Sequence, residues 1–180
     1  MIVLVAWLAL QAQPLDDFYK FKAGTAWTYK RVENGEERTI EARCAGEDGG
    51  AVKVEWEERQ KDGSLYKSFV LKWSVEAESL KVEAKEKDGD GVIPFTVLKT
   101  GAKKDDRWKG DLGEMVHLGV GELTVPAGTY KDAVHTQLGR GEEGQIDFYL
   151  APKVGLVKIV VFEKGKETNL WELTKFTPAK

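Results

Sequence analysis

The sequence predicts an all-β protein, a strongly curved antiparallel sheet (half-barrel or barrel-like) of roughly ten to twelve strands with little helix. Three observations predict it. Apolar and charged residues alternate with the two-residue period of a half-buried strand, as in Val52-Lys53-Val54-Glu55-Trp56-Glu57 and Leu80-Lys81-Val82-Glu83-Ala84-Lys85. Glycine turns recur every ~8–12 residues and join the strands as hairpins, which makes the sheet antiparallel. No stretch keeps a helical period for three turns. So many strands do not stay flat and open, and they are expected to curl into a barrel, a half-barrel or two packed layers.

In chain order, Ile2 to Leu10 is continuously apolar and is followed by Gln11-Ala12-Gln13-Pro14. The run is too short to span a bilayer and suits the apolar region of a secretory signal, although no Lys or Arg precedes it. Residues 1–13 therefore read as a signal peptide and 14–180 as a single antiparallel β domain. Gly24 turns the chain into a strand with Trp27, Tyr29 and Arg31 on one face. Asn34-Gly35 is the strongest hairpin signal present, and Thr39 to Cys44 returns. Asp48-Gly49-Gly50 leads into the Val52, Val54, Trp56 face, and Asp62-Gly63 into a long strand from Leu65 to Trp73. That strand sets Phe69, Leu71 and Trp73 against Tyr66 and Val70. Asp88-Gly89-Asp90-Gly91 turns into Val92 to Lys99, where Pro94 marks an edge or a strand start. After the charged connection Lys103 to Arg107 comes the short Trp108-Lys109-Gly110.

The stretch from Glu122 to Lys158 organises the remainder. Val125-Pro126-Ala127-Gly128 and Leu150-Ala151-Pro152-Lys153-Val154-Gly155 are two tight corners between strands. Before the first corner, Met115 to Val125 carries Gly119 and Gly121, and its apolar face switches from Val116, Leu118 and Val120 to Leu123 and Val125. An odd shift of that kind is what a β-bulge produces, and a bulge bends the sheet. Gly141-Glu142-Glu143-Gly144 and Lys164-Gly165-Lys166 are hairpin tips, and Leu170 to Phe176 closes the chain. A faint echo between Lys22-Ala23-Gly24 with Trp27 and Lys99-Thr100-Gly101 with Trp108 suggests two related halves, 14–90 and 91–180.

Composition narrows the function classes. Of 180 residues, 42% are hydrophobic and 32% charged, as in a folded globular chain. A net charge of −3, with lysines interleaved among glutamates, gives nucleic acid no basic footprint. Cys44 is the single cysteine, shares a face with Ile40 and Ala42, and reads as a buried structural thiol.

Three pieces resemble a family of exported, uncharacterised bacterial β proteins: Gly24-Thr25-Ala26-Trp27-Thr28-Tyr29, Val125-Pro126-Ala127-Gly128-Thr129-Tyr130-Lys131-Asp132, and Tyr149-Leu150-Ala151-Pro152-Lys153-Val154-Gly155-Leu156-Val157-Lys158. The sheets of such proteins are similar to the curved half-barrels of lipoprotein carriers (the LolA-like fold), which wrap an apolar cavity. The resemblance implies export to the periplasm or beyond and no assigned reaction. Where a glycine is usual between Pro152 and Val154, this chain has Lys153.

No catalytic signature stands out. Ser64, Ser68, Ser74 and Ser79 lie outside any Gly-x-Ser-x-Gly elbow. His117 and His135 lack metal-ligand spacing and read as strand histidines facing solvent or a rim, able to lie side by side if their strands pair. Asp88-Gly89-Asp90-Gly91 imitates the start of a calcium loop, but Lys99 stands where the closing Glu belongs. Asp105, Asp106, Asp111 and Glu114 surround Trp108 as a solvated acidic loop. No cofactor motif is present.

The aromatic residues Tyr66, Trp73, Trp108, Tyr130 and Tyr149 are left as candidate contacts for a ligand or partner. The expectation is a non-enzymatic exported binding module, holding an apolar or lipid-like ligand or an envelope protein on its curved sheet, with no nucleic-acid partner and no stable membrane span. The alternatives are an accessory component of an envelope assembly with no ligand cavity and, with only generic acids behind it, a hydrolase.

Overall fold

A computed structural model describes residues 14–180 apart from 88, 90, 111, 140, 142 and 143. The signal-peptide reading of 1–13, the Asp88 and Asp90 pair, Asp111 and the Glu142-Glu143 tip lie outside the described residues. Twelve strands make one antiparallel sheet: β1 (Ala26–Glu33), β2 (Glu36–Asp48), β3 (Ala51–Arg59), β4 (Leu65–Glu76), β5 (Ser79–Glu86), β6 (Val92–Lys99), β7 (Arg107–Lys109), β8 (Glu114–Val125), β9 (Gly128–Gly139), β10 (Gln145–Ala151), β11 (Gly155–Glu163) and β12 (Lys166–Thr177). A single 3-10 turn, Leu15–Phe18, precedes them.

The strand order is β6-β5-β4-β3-β2-β1-β12-β11-β10-β9-β8-β7. Every pair of chain neighbours lies side by side except β6 and β7, and β1 also pairs with β12, so the two sheet edges, β6 and β7, are consecutive in the chain. The sheet is curved but not closed, and curvature brings its edges near each other. The Phe95 ring of β6 stacks on Phe148 of β10 at 5.8 Å, and Lys99 Nζ sits 5.9 Å from the Trp108 ring of β7.

Strand alternation decides which side chains fill the curve. Trp27, Tyr29, Ile40, Ala42, Val54, Trp56, Leu71, Trp73, Val82, Leu138, Phe148, Leu150 and Leu173 are buried on the inner face. Tyr29 stacks on Trp56 at 5.0 Å and Trp56 on Phe69 at 5.6 Å, so one aromatic row crosses three strands. The Trp27 indole donates to the Val154 carbonyl at 2.7 Å and the Tyr29 hydroxyl to the Leu156 carbonyl at 2.8 Å, tying β1 to the second corner and the start of β11 across the interior.

Both corners of the organising stretch form. Pro126 and Ala127 turn β8 into β9, and the tip folds over the inner face, where the Ala127 amide donates to the Leu173 carbonyl at 3.0 Å. The bulges that bend this hairpin are real: β8 slips register against β9 between His117 and Gly119 and again between Gly121 and Leu123. Their phase differs from the sequence expectation. Met115 and His117 point inward opposite Leu138 and Thr136, while Val116 takes the outer side. His117 is accordingly buried rather than solvent-facing. A polar side chain took an inner position because the bulge at Leu118 resets the alternation after it.

The second corner carries the N-terminal segment. Leu15, Phe18 and Tyr19 are buried, and the Phe21 ring meets Trp27 edge-on at 4.8 Å. Gly155 lets that ring approach, because a Cβ there would stand 2.7 Å from Phe21 Cζ. Lys153 holds φ 64, the conformation for which glycine is the usual residue.

Candidate functional site

The hairpin turns fall at two ends of the curved sheet, and three places along the inner face have the makings of a site. The first is the middle of the interior. An apolar cavity of about 150 Å³ is lined by Trp56, Phe69, Trp73, Phe95, Phe148 and Trp171, among others. Ligand pockets for drug-sized molecules run from about 300 Å³ upward, and a space of roughly 150 Å³ suits one aromatic ring. Aromatic packing, with Trp171 tilted on Trp56 at 5.8 Å and on Phe69 at 6.4 Å, takes up the room a long chain would need.

The second place is the end of the inner face near the Asn34-Gly35 turn. Glu58 lies in phase with Val54 and Trp56, so strand geometry sends its carboxylate inward, and it is fully buried. Arg31 Nη1 donates to both of its oxygens, at 2.9 and 2.7 Å, and Arg38 Nη1 donates at 3.4 Å. Glu33 accepts from Arg31 at 2.5 Å and from Arg38 at 2.9 Å. Asn169 Oδ1 accepts from Arg31 Nε at 3.2 Å and from the Trp171 indole at 2.9 Å. Arg31 lies over the Trp171 ring at 5.2 Å and Arg38 over Tyr66 at 4.0 Å. Every charge is matched, and the network seals this end of the interior.

The third place is the opposite end. A groove of about 1040 Å³ runs between the chain from Leu98 to Lys104, which links the two sheet edges, and the bulged β8–β9 hairpin. Leu15, Phe18, Leu98 and Leu123 give it an apolar floor, with Lys99, Lys103, Lys104 and Lys131 around it against Glu122 and Asp132. His117, His135 and Tyr149 also line it. The His135 ring stacks on Tyr149 at 4.2 Å, and its Nε2 is 3.4 Å from Asp147 Oδ2, a separation that does not meet hydrogen-bond geometry. The edge connection holds His117 by its backbone: Asp105 N donates to His117 O at 2.7 Å, and His117 N donates to Asp106 O at 2.9 Å. Burial pushes the His117 imidazole below its ordinary range, with Asp106 acting the other way and His135 adding to the fall. Burial likewise raises the Tyr130 and Tyr149 hydroxyls.

The aromatic candidates are spread over all three places. Trp73 lines the small cavity and is only 5% exposed. Trp108 is 7% exposed, buried opposite Met115 with Lys99 above it. Tyr66 is 48% exposed and belongs to the arginine end: a register shift between Glu58 and Arg59 frees it from strict alternation, so its ring meets Arg38. Tyr130 is half-buried opposite Leu123 on the folded hairpin and packs against the buried core. Of the five, Tyr149 alone lines the groove. Of the residues around it, His117 and His135 were read from sequence only as strand histidines, and the lysines were not singled out. Glu58 and Arg31 did leave a signal, since each is charged in phase with buried apolar neighbours.

No protein-family model matches the chain, and no curated protein matches it. Solved structures do. A candidate lipoprotein from Parabacteroides distasonis superposes with a TM-score of 0.66 at 13% identity, over 90% of this chain and 100% of that one. A candidate exported protein from Bacteroides fragilis, described as having a YmcC-like fold, gives 0.65 at 12% identity, over 89% and 98%. A chain of the Pseudomonas aeruginosa MucA/MucB complex gives 0.51 at 16% identity, over 93% of this chain and 55% of that one. At these identities the likeness is one of fold, and the fold is shared with proteins described as exported or as lipoproteins.

Proposed function

We propose that this protein is an exported, non-enzymatic component of the cell envelope that binds a segment of a partner protein. One observation carries the reading: the space on the inner side is unequally divided. The groove beside the edge connection has about 1040 Å³, whereas the wholly apolar interior keeps about 150 Å³. A groove of that size, with an apolar floor and a charged rim, takes an extended stretch of polypeptide. The fold likeness to a chain from the Pseudomonas aeruginosa MucA/MucB complex is in keeping with a protein partner.

A photo-crosslinking residue placed at Val120, which is 46% exposed and lines the groove, tests this in the native host. One discrete protein adduct is expected there, and none from the same residue at Leu65, which is exposed away from the groove. Equal labelling at the two positions, or lipid alone at Val120, overturns the reading. An apolar small molecule in the interior is the second reading, favoured by the apolar lining of the small cavity. Native mass spectrometry of protein purified from its host decides it, because a retained ligand adds mass.

A further inference from the structure

The groove is not neutral in its chemistry. The chain carries a net charge of −3, yet this one concavity is ringed by Lys99, Lys103, Lys104 and Lys131 against Glu122 and Asp132. No ion pair ties up any of those four lysines among the described residues. A second observation comes from beneath them. His117 is 4% exposed and lines the groove, and its Nδ1 has no hydrogen-bond partner among the described residues. Thr136, opposite it in register and fully buried, has its hydroxyl in the same condition. An unsatisfied buried polar atom costs about 1–3 kcal/mol, so the His117 nitrogen asks for a polar group to meet it from the groove.

We propose that the groove selects an acidic amphipathic peptide: a partner segment that lays apolar side chains on Leu15, Phe18, Leu98 and Leu123 and sets a carboxylate among His117 and the surrounding lysines. The inference rests on reading the groove as the partner site and adds the chemistry of the partner. A carboxylate accepts from the lysine ammonium groups and from a protonated His117, and both are charge-assisted hydrogen bonds. Such an acid would offset the burial that now holds the imidazole neutral, so binding takes up a proton and tightens as pH falls. The groups that set this balance are Asp105 and Asp106 with Lys103 and Lys104 from the edge connection, Lys99 from β6, Glu122 from β8, His135, Lys131 and Asp132 from β9, and Tyr149 from β10 with Asp147 behind it.

Fluorescence anisotropy on the full folded chain tests the proposal. The probe is a capped, labelled peptide of about ten residues alternating Leu and Glu, with the matching Leu and Lys peptide as its control. The Glu peptide is expected to bind, to weaken with salt, and to tighten up to about tenfold for each unit by which His117 is raised as pH drops from about 8 to 6. The exposed pair Lys104→Glu with Lys131→Glu is expected to weaken it by at least about tenfold without lowering the melting temperature. His117→Gln is expected to flatten the pH dependence. Equal binding of the two peptides, indifference to the lysine reversals in a folded protein, or capture of laurate with exclusion of the Glu peptide overturns the proposal. A Val120 adduct with a host protein but no preference for the Glu peptide sinks the acid selectivity and leaves the groove as partner site. Selective peptide binding with no adduct does the reverse.

Discussion

Replacing Glu58 by Gln tests how the interior is sealed. The carboxylate is fully buried, and the side chains of Arg31 and Arg38 around it are only 13% and 11% exposed. Removing one partner of a buried ion pair costs about 3–5 kcal/mol, because the charge left behind is uncompensated. Two features reduce that figure. Gln keeps an oxygen for the Arg31 guanidinium, and Glu33 still accepts from both arginines. About 2–3 kcal/mol is then expected, and at roughly 2–4 °C per kcal/mol for a domain of this size the melting temperature falls by about 4–12 °C. Urea titration followed by tryptophan fluorescence reads it directly, since Trp171 donates to the same Asn169 that Arg31 contacts. The companion variant, Arg31→Leu with Arg38→Leu, Glu58→Leu and Glu33→Gln, removes all four charges of the cluster. It is expected to fall within about 1 kcal/mol of the native protein, because apolar replacements of buried ion clusters are often neutral or better. A Glu58→Gln protein within about 0.5 kcal/mol of native would refute the reasoning, since it would mean that water reaches the carboxylate in solution.

Three further outcomes are expected. Lys153→Gly stabilises the protein by up to about 1 kcal/mol, because relief of a left-handed φ of 64 at a non-glycine residue exceeds the extra freedom glycine has when unfolded; equilibrium urea unfolding measures it. Cys44 is buried, burial raises its thiol, and it donates to the Phe21 carbonyl at 3.4 Å, so a thiol reagent such as DTNB reacts with it only as fast as the protein opens. His117 is held below its ordinary pKa in the fold, so its share of stability is fully present above about pH 6.5 and is lost as pH falls through that region. His117→Gln should therefore show a smaller drop in urea midpoint between about pH 7 and pH 5.

Much of the fold was legible because strands write their inner face at every second residue. Val52, Val54 and Trp56, or Leu80 and Val82, could face inward in only one way, and each is buried. The Asn34-Gly35 hairpin and the bulging of β8 followed from local chemistry alone, and of the two readings of Pro94, edge or strand start, the edge is the one that forms. The site was less legible, for two physical reasons. A bulge resets the alternation, so the phase after Gly119 could not be carried back to place His117, and the same effect at Tyr66 moved its ring to Arg38. The groove, moreover, is assembled from β6, the edge connection, β8, β9, β10 and the N-terminal turn, which no local pattern places together. The Glu58 cluster is the intermediate case: its members are in phase with buried residues, but their pairing needed the strand order.

The strand order also favours the proposed groove, rather than an open edge, as the place where a partner would dock. A curved sheet that stops short of closure leaves two rows of unpaired backbone groups, which invite another strand. Here both edges are poor templates. Pro94 in β6 lacks an amide hydrogen to offer, and β7 is only three residues long with Trp108 turned inward. The two edges are also consecutive in the chain, so their connection must cross the gap between them, and it is pinned to His117 from both directions along the backbone. What remains beside that crossing is a hollow bounded by side chains, so recognition there falls to charge and apolar surface more than to strand pairing. For the same reason, lysines on the connection should govern partner choice, while substitutions along the outer edge of β6 should matter little.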